Sequence, residues 1–397
     1  MRISTNSTTD LAVASINQQQ TAMAKLQAQI SSGQKLQTAA DDPAAWAQGM
    51  SLDQQIANIN TYTANVSTAQ QRLGMEENAL ASSSNVLQSI SELAIQANTA
   101  TQSPQSLQAI ASQMQQYYEQ LLSYGNAQDG EGRYLFAGSN STSLPFTQGS
   151  SGVNYNGDQN ARLLAIGPNR SVADSDNGAS LFMTNRSGNG TFELSAAAAN
   201  TGTAQPATSQ VLDPGLWDGG SYSISFSGGN YQVTDSSNNV IGSGAYVPGN
   251  GIRFRGIEVS FSGQPADGDS FSVGASQQKD VFKTISDLIG LVRNPPATAA
   301  GRAQFQTRMQ GLQAELSNGL DQVVNVRGTV GARLAALDDA SNSLGSQLVS
   351  AKSTLSDVRD VDLAQASTEL NQRTVTLQAV QLAYAKVQGL SLFQYLR

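Results

Sequence analysis

The 397-residue chain contains no histidine and no cysteine. Without histidine there is no Ser-His-Asp triad, no His-based zinc protease and no imidazole ligand for a metal. Without cysteine there is no disulfide framework, thiol nucleophile, zinc finger or iron–sulfur site. Charge is scarce as well: Asp, Glu, Lys and Arg make up 13% of the residues, about half the usual share. The 22 basic and 30 acidic side chains leave a net charge of -8. Nucleic-acid phosphates demand concentrated positive charge, so a nucleic-acid partner is not expected. No apolar run approaches the roughly 18 residues of a membrane span, so no membrane partner is expected either. The N-terminal stretch lacks the basic head and apolar run of a cleaved secretory signal. Histidine is the side chain whose unperturbed pKa lies between about 5 and 8, and its absence predicts a stability nearly flat from about pH 6 to 8.

Gln, Ser, Asn, Thr and Ala fill the gap left by charge. Proline is absent from Ala44 to Ser103 and again after Pro296, and 25 of the 36 glycines lie between Gly125 and Gly274. Both ends therefore read as long helices and the middle as turn-rich. The predicted class is α+β: a long antiparallel helical bundle, or coiled coil, built from both termini, with an inserted antiparallel β-domain. The division read from composition is a terminal helical core (1–42 with 363–397), a helical bundle (43–144 with 279–362) and a β-rich outer domain (145–278). Because that domain leaves and rejoins the bundle near Pro145 and Gln278, its removal is expected to leave the helical stripes intact.

The helical stripes can be counted. Leu52, Ile59, Val66, Leu73, Leu80 and Leu87 recur every seven residues, with Ala94 completing the series. After Pro104 the series Leu107, Ile110, Met114, Tyr117, Leu121 and Tyr124 predicts a second helix folded back on the first. The returning chain carries Met309, Leu312, Leu316, Val323, Val330, Leu337, Leu344, Leu348, Leu355 and Val358 in the same rhythm. These stripes are core.

The extreme ends carry thinner stripes. Ile16, Met23, Leu26 and Ile30 stop at Gly33; Leu363, Leu370, Leu377 and Tyr384 are spaced by seven, with Val380 and Val387 beside them. A single narrow stripe does not hold a helix in water, because nucleation is costly and packing supplies most helical stability. The expected assembly interface is this set, extended to Phe393 and Leu396. Pairing with other copies is the expectation; docking within the chain is the alternative.

In the middle, Tyr222, Ile224 and Phe226 alternate with serines, and Gly228-Gly229 turns the chain into Tyr231 and Val233. Ile252 and Phe254, then Ile257, Val259 and Phe261, then Phe271 and Val273 alternate in the same way, which predicts an antiparallel sandwich or open barrel. Chemistry finds little footing. No phosphate-binding loop of either common kind is present. Asp357, Asp360 and Asp362 lack the glycine and terminal glutamate of a calcium loop and read as a charged break between helices. Asp42 before Pro43 reads as a helix N-cap. No enzyme activity and no cofactor are expected.

Ser31-Ser32-Gly33-Gln34-Lys35, running into Asp41-Asp42-Pro43-Ala44, resembles the N-terminal signature of the flagellin superfamily, and Ser356 to Leu370 resembles its C-terminal helix. Three further segments are similar to the branch that joins hook to filament: Gly132-Arg133-Tyr134-Leu135-Phe136-Ala137-Gly138 with Pro145-Phe146, Val326-Arg327-Gly328-Thr329-Val330-Gly331-Ala332-Arg333, and the ending Ser391 to Leu396. Tyr155-Asn156-Gly157-Asp158 also fits. The resemblance implies a structural subunit of the bacterial flagellum, extracellular, exported unfolded by the flagellar type III export apparatus without a cleaved signal. It implies assembly as a ring of copies between hook-associated protein 1 and flagellin, terminal helices innermost and the β-domain outward. It also implies an export chaperone that covers the C-terminal stripe. The nearer alternative is a flagellin; the farther is a secreted adhesin or enzyme on a helical stalk.

Overall fold

A computed structural model describes the backbone of residues 5–99, 102–149 and 152–395, and within these ranges the side chains of 10–386. The long helices are α1 (Thr5–Ser32), α2 (Pro43–Ala97), α3 (Pro104–Gly125), α4 (Val281–Arg293), α5 (Ala299–Arg359) and α6 (Leu363–Tyr395). The chain divides into two compact units, Met1–Ala64 with Ser341–Arg397, and Asn65–Ala340. The architecture is α+β, helical at both ends with antiparallel sheet between.

In Asn65–Ala340 the predicted stripes are the helical core. Val66, Leu73, Leu80, Leu87 and Ala94 on α2, and Met309, Leu316, Val323, Val330 and Leu337 on α5, are at most 1% exposed. A seven-residue spacing drifts only about 20° per repeat around a straight helix, so each stripe stays on one face. In α3 the buried face is Leu107, Ile110, Ala111, Met114, Tyr118, Leu121 and Gly125. Tyr118, not Tyr117, is inside, because α3 packs along α4 and the Tyr118 ring meets Phe282 edge-on at 6.0 Å. Ser103 caps α3 by accepting the Ser106 N–H (3.1 Å).

Beyond α3 the chain stays with the helices for another sixty residues or so. β1 (Phe146–Gly149) and β2 (Gly152–Tyr155) form one hairpin, β3 (Leu163–Gly167) and β4 (Arg170–Ala173) a second, and a short helical turn covers Ala179–Met183. Phe146 (1% exposed) and Phe182 (0%) lie against Phe282 of α4, with ring centroids 5.5 and 5.7 Å apart, and Phe136 packs on Phe182. The boundary expected at residue 145 therefore cuts through the helical core. It was invisible in composition because these residues carry turn-type sequence while contributing core aromatics.

Two of the singled-out motifs meet in this region. Gly138 has φ +71°, and Asp158 backs onto it so closely that a Cβ would stand 2.4 Å from the Asp158 carbonyl oxygen. Only glycine fits there. Asp158 accepts the Ser139 N–H (2.8 Å), and Tyr155 donates its hydroxyl to the Phe136 and Asp158 carbonyls (3.0 and 2.8 Å). Burial pushes the Tyr155 phenol up to about 12.

After β5 (Asn185–Arg186) comes the sandwich: β6 (Phe192–Ala196), β7 (Gln205–Val211), β8 (Tyr222–Ser227), β9 (Asn230–Asp235), β10 (Val240–Ala245), β11 (Gly251–Phe254), β12 (Ile257–Ser262) and β13 (Ser270–Ala275). One sheet runs β10-β9-β8-β13-β6, the other β11-β12-β7, all antiparallel. The alternation read in the sequence points Ile224, Phe226, Val233, Val259, Phe261, Phe271 and Val273 into one buried core. Gly228 and Gly229 join β8 to β9 with φ +58° and +74°, the two positive values that a tight type I′ hairpin requires. The chain then returns through β14 (Gln278–Lys279), with Gln278 opposite Arg186, and Asp280 caps α4.

Candidate assembly interface

In the unit Met1–Ala64 with Ser341–Arg397, two helix breaks lie side by side. Gly33 ends α1 at φ +72°, a conformation that costs other residues a clash. Its carbonyl accepts the Val361 N–H (3.0 Å), and Lys35 donates its N–H to the Arg359 carbonyl (2.8 Å) and its Nζ to the Asp357 carbonyl (2.8 Å). The break at 360–362 is thus matched to the break at 33–42.

Three of the acidic residues at these breaks, Asp41, Asp42 and Asp362, accept backbone N–H groups. Asp42 accepts the N–H groups of Ala44 and Ala45 (3.0 Å each) and starts α2; Asp362 does the same for Ala364 and Gln365 (2.9 and 3.1 Å) and starts α6. Asp360 accepts the Ser356 hydroxyl (2.6 Å). Asp41 accepts from Gln37, Thr38 and Lys25 Nζ (2.7 Å). The Lys25 contact, followed by the two backbone N–H groups, holds its carboxyl well below the usual range. Among the described residues no group of three or more acidic side chains is placed to hold a metal ion.

From these breaks α1 and α6 run antiparallel in contact. The α1 face carries Ile16, Met23 and Ile30, half-buried, and Leu26, buried. The α6 face carries Ala366 and Leu377, buried, and Leu370, Val380 and Tyr384, half-buried. Thr374 donates to the Met23 sulfur (3.7 Å), and Arg373, paired with Glu369 at 2.7 Å, reaches Gln19 (3.4 Å). The docking expected as the alternative thus occurs within one chain for these residues. Leu363 sits outside the seam at 55% exposure. Val387 and Phe393 lie beyond the described side chains, and Leu396 beyond the described residues.

The structure adds a second set that the stripe count missed. Leu11, Val375 and Leu382 are 66%, 65% and 72% exposed. Val375 and Leu382 are themselves seven apart, offset by five from Leu370 and Leu377, so they form a parallel stripe on the outer side of α6. That spacing was present in the sequence; what hid it was the stronger stripe beside it. Among the described residues no helix is long and apolar enough to cross a membrane.

Comparison with known proteins agrees with this geometry. Residues 3–141 match the bacterial flagellin N-terminal helical region, residues 315–396 the bacterial flagellin C-terminal helical region, and residues 195–275 a D2-like domain of flagellar hook-associated protein 1. Flagellar hook-associated protein 3 of Escherichia coli is 25% identical over 397 residues, 99% of each chain. Its Salmonella typhimurium counterpart is 30% identical over 182 residues, which span 46% of this chain and 57% of that protein. The crystal structure of Xanthomonas campestris FlgL superposes with a TM-score of 0.73 at 36% identity, covering 77% of this chain and 99% of that one. Terminal helices, inserted sandwich and full-length correspondence coincide, and the chain belongs to the flagellar hook-associated protein 3 (FlgL) family of the flagellin superfamily.

Proposed function

We propose that this chain is a structural subunit of the flagellum at the junction of hook and filament, and that it works by packing its terminal helices against neighbouring subunits. The observation that carries the reading is the outer stripe: an apolar row seven residues apart, exposed on a helix whose inner face is already engaged. Its partners would be hook-associated protein 1 on one side, flagellin on the other, and copies of itself around a ring. Head-to-tail contacts of one surface on another close such rings. The interface would comprise Leu363, Val375 and Leu382 with Val380 and Tyr384 of the seam, and, from the spacing in the sequence alone, Val387, Phe393 and Leu396. Residues 1–42 and 363–397 would be its innermost part. The protein would be extracellular, delivered through the flagellar type III export apparatus without signal cleavage, with an export chaperone covering α6 beforehand. It would perform no catalysis.

Two variants separate the inner seam from the outer stripe. Val375→Asp with Leu382→Asp changes residues already in water, so the monomer should keep its melting midpoint while junctions fail and flagellin appears in the medium. Leu377→Asp buries a carboxylate against α1 and should lower the stability of that unit by about 2 kcal/mol or more. Export is checked first by immunoblot of the medium. An exported outer-stripe variant that builds normal junctions, seen by immunogold at the hook end, would sink this reading. Label along the whole filament would instead support the flagellin alternative.

A further inference from the structure

The densest set of charges lies in Asn65–Ala340, where α2 meets the segments 129–133 and 162–176 and the middle of α5. Five arginines face six carboxylates there. Arg72 pairs with Asp129 and Asp174, Arg133 with Asp129 and Glu131, Arg162 with Asp174, Arg327 with Glu77, and Arg333 with Asp176. Glu76 is the carboxylate left over. It is 0% exposed and makes no ion pair, although Arg72 stands one turn away and Arg333 is committed to Asp176 through two contacts at 2.9 and 3.0 Å.

The surroundings of Glu76 favour the neutral acid. One oxygen accepts the Asp176 N–H (3.0 Å), while the other has no protein partner; neither has the neighbouring buried Ser175 hydroxyl. The Asp176 carboxylate, attached to the same residue that donates this hydrogen bond, repels a second negative charge. An unpaired carboxylate in such a place carries a large desolvation penalty, which a proton removes. With Glu76 neutral, five negative charges match five positive ones.

We propose that Glu76 is a proton-binding site of the folded protein, and that losing this proton loosens the 174–178 segment from α2 and α5. The segment is poised for it. Asp176 is held by Glu76 on α2 and Arg333 on α5, and Gly178 donates to the Phe136 carbonyl (2.9 Å) beside Phe146. A charge on Glu76 would act on the attachment of the β3–β4 hairpin and of Phe182 to the helices. Burial, with Asp176 adding to it against Arg333 and Arg72, pushes the Glu76 carboxyl from 4.5 up to about 8. Between those values the folded state holds the proton and the unfolded chain does not. Stability from this group is therefore full below the lower value, falls as pH rises through the window, and levels off above the upper one. On this proposal the profile is not the flat one expected from the missing histidine: a buried carboxylate takes the histidine's place in the neutral range.

The test uses the full chain. The melting midpoint of the wild type should fall by several degrees between about pH 6 and pH 9, and that of Glu76→Gln, which keeps shape without the charge, should stay level. In the wild type, NMR of carboxyl-labelled glutamate should show one side chain titrating near pH 8, a reading that needs no variant to fold. Exchange of the Asp176 amide, corrected for its intrinsic rate, should speed up at least about tenfold from pH 7 to 9, equivalent to about 1.4 kcal/mol. Glutamates that all titrate below about pH 6, or a midpoint that falls equally in the Gln variant, overturn the proton site. A carboxyl that titrates near 8 with unchanged exchange at 174–178 overturns the loosening.

Discussion

Excising residues 187–276 and joining Arg186 to Gln277 through a short Gly-Ser link should leave a folded helical protein; excising 145–278 should not. The sandwich core is assembled from residues between Phe192 and Val273, so it leaves with the excised piece. Among its ties to the helices are single hydrogen bonds, such as Gln304 donating to the Asn200 carbonyl (2.9 Å) and Asn318 to the Gly188 carbonyl (3.0 Å). The ends to be joined are already neighbours, since Ser187 donates to the Gln277 carbonyl (2.9 Å) and Arg186 pairs with Gln278. The match of residues 195–275 to a D2-like domain places the same unit between nearly the same limits.

The larger excision removes Phe146 and Phe182 from beneath Phe282 and takes Asp174 and Asp176 from the arginines. Truncating one buried phenylalanine costs about 3–5 kcal/mol, and two such losses rival the whole stability of an ordinary domain. Circular dichroism with a thermal melt distinguishes the two products. A cooperative transition in both would mean that 145–186 is dispensable and that the aromatic cluster is decoration.

The second large effect concerns Arg72. Its side chain is 4% exposed and lies between Asp129 (5%) and Asp174 (0%), with Nε 3.1 Å from Asp174. Arg72→Met keeps the aliphatic volume and removes the charge, leaving two buried carboxylates with less compensation than they need. Breaking one side of a buried pair costs about 3–5 kcal/mol; the lower end is expected, because Arg133 and Arg162 remain. The pH signature follows from Asp129. Burial works to raise its pKa, but the N–H groups of Arg133 and Glu131 and the charge of Arg72 prevail, and the carboxyl sits below its ordinary value. A depressed carboxyl contributes stability above the unfolded pKa and loses it as pH falls through the folded one. Without Arg72 that contribution shrinks, so the deficit of the variant should be largest near pH 7 and smaller below about pH 4. Urea denaturation at both values measures it. Arg327→Ala, at a pair with both members about a third exposed, should cost under about 1 kcal/mol in the same assay. Equal losses for the two arginines would contradict the distinction drawn between buried and open pairs.

Much of the architecture could be read from spacing alone. The stripes from Leu52 to Ala94 and from Met309 to Val358 declared two long helices and which face was core, and the serine-spaced apolar residues around Gly228-Gly229 declared a hairpin. Asp42 before Pro43 declared a helix start. All of these depend on periods of 3.5 and 2 residues or on a cap within one turn, which are properties of a short stretch of chain. The seam of α1 and α6 was legible as two stripes, but not that they meet in one chain while Val375 and Leu382 stay outside. Neighbouring residues posed the harder cases. Glu76 and Glu77 look identical in sequence, as do Tyr117 and Tyr118, yet one of each pair is sealed in and the other is part-open. Successive helical residues point about 100° apart, and where the protected direction lies depends on segments that arrive from far along the chain: 129–133, 174–176 and α5 for Glu76, α4 for Tyr118. Periodicity tells a helix which face is apolar; the charge that a buried position must neutralise is decided by what converges on it.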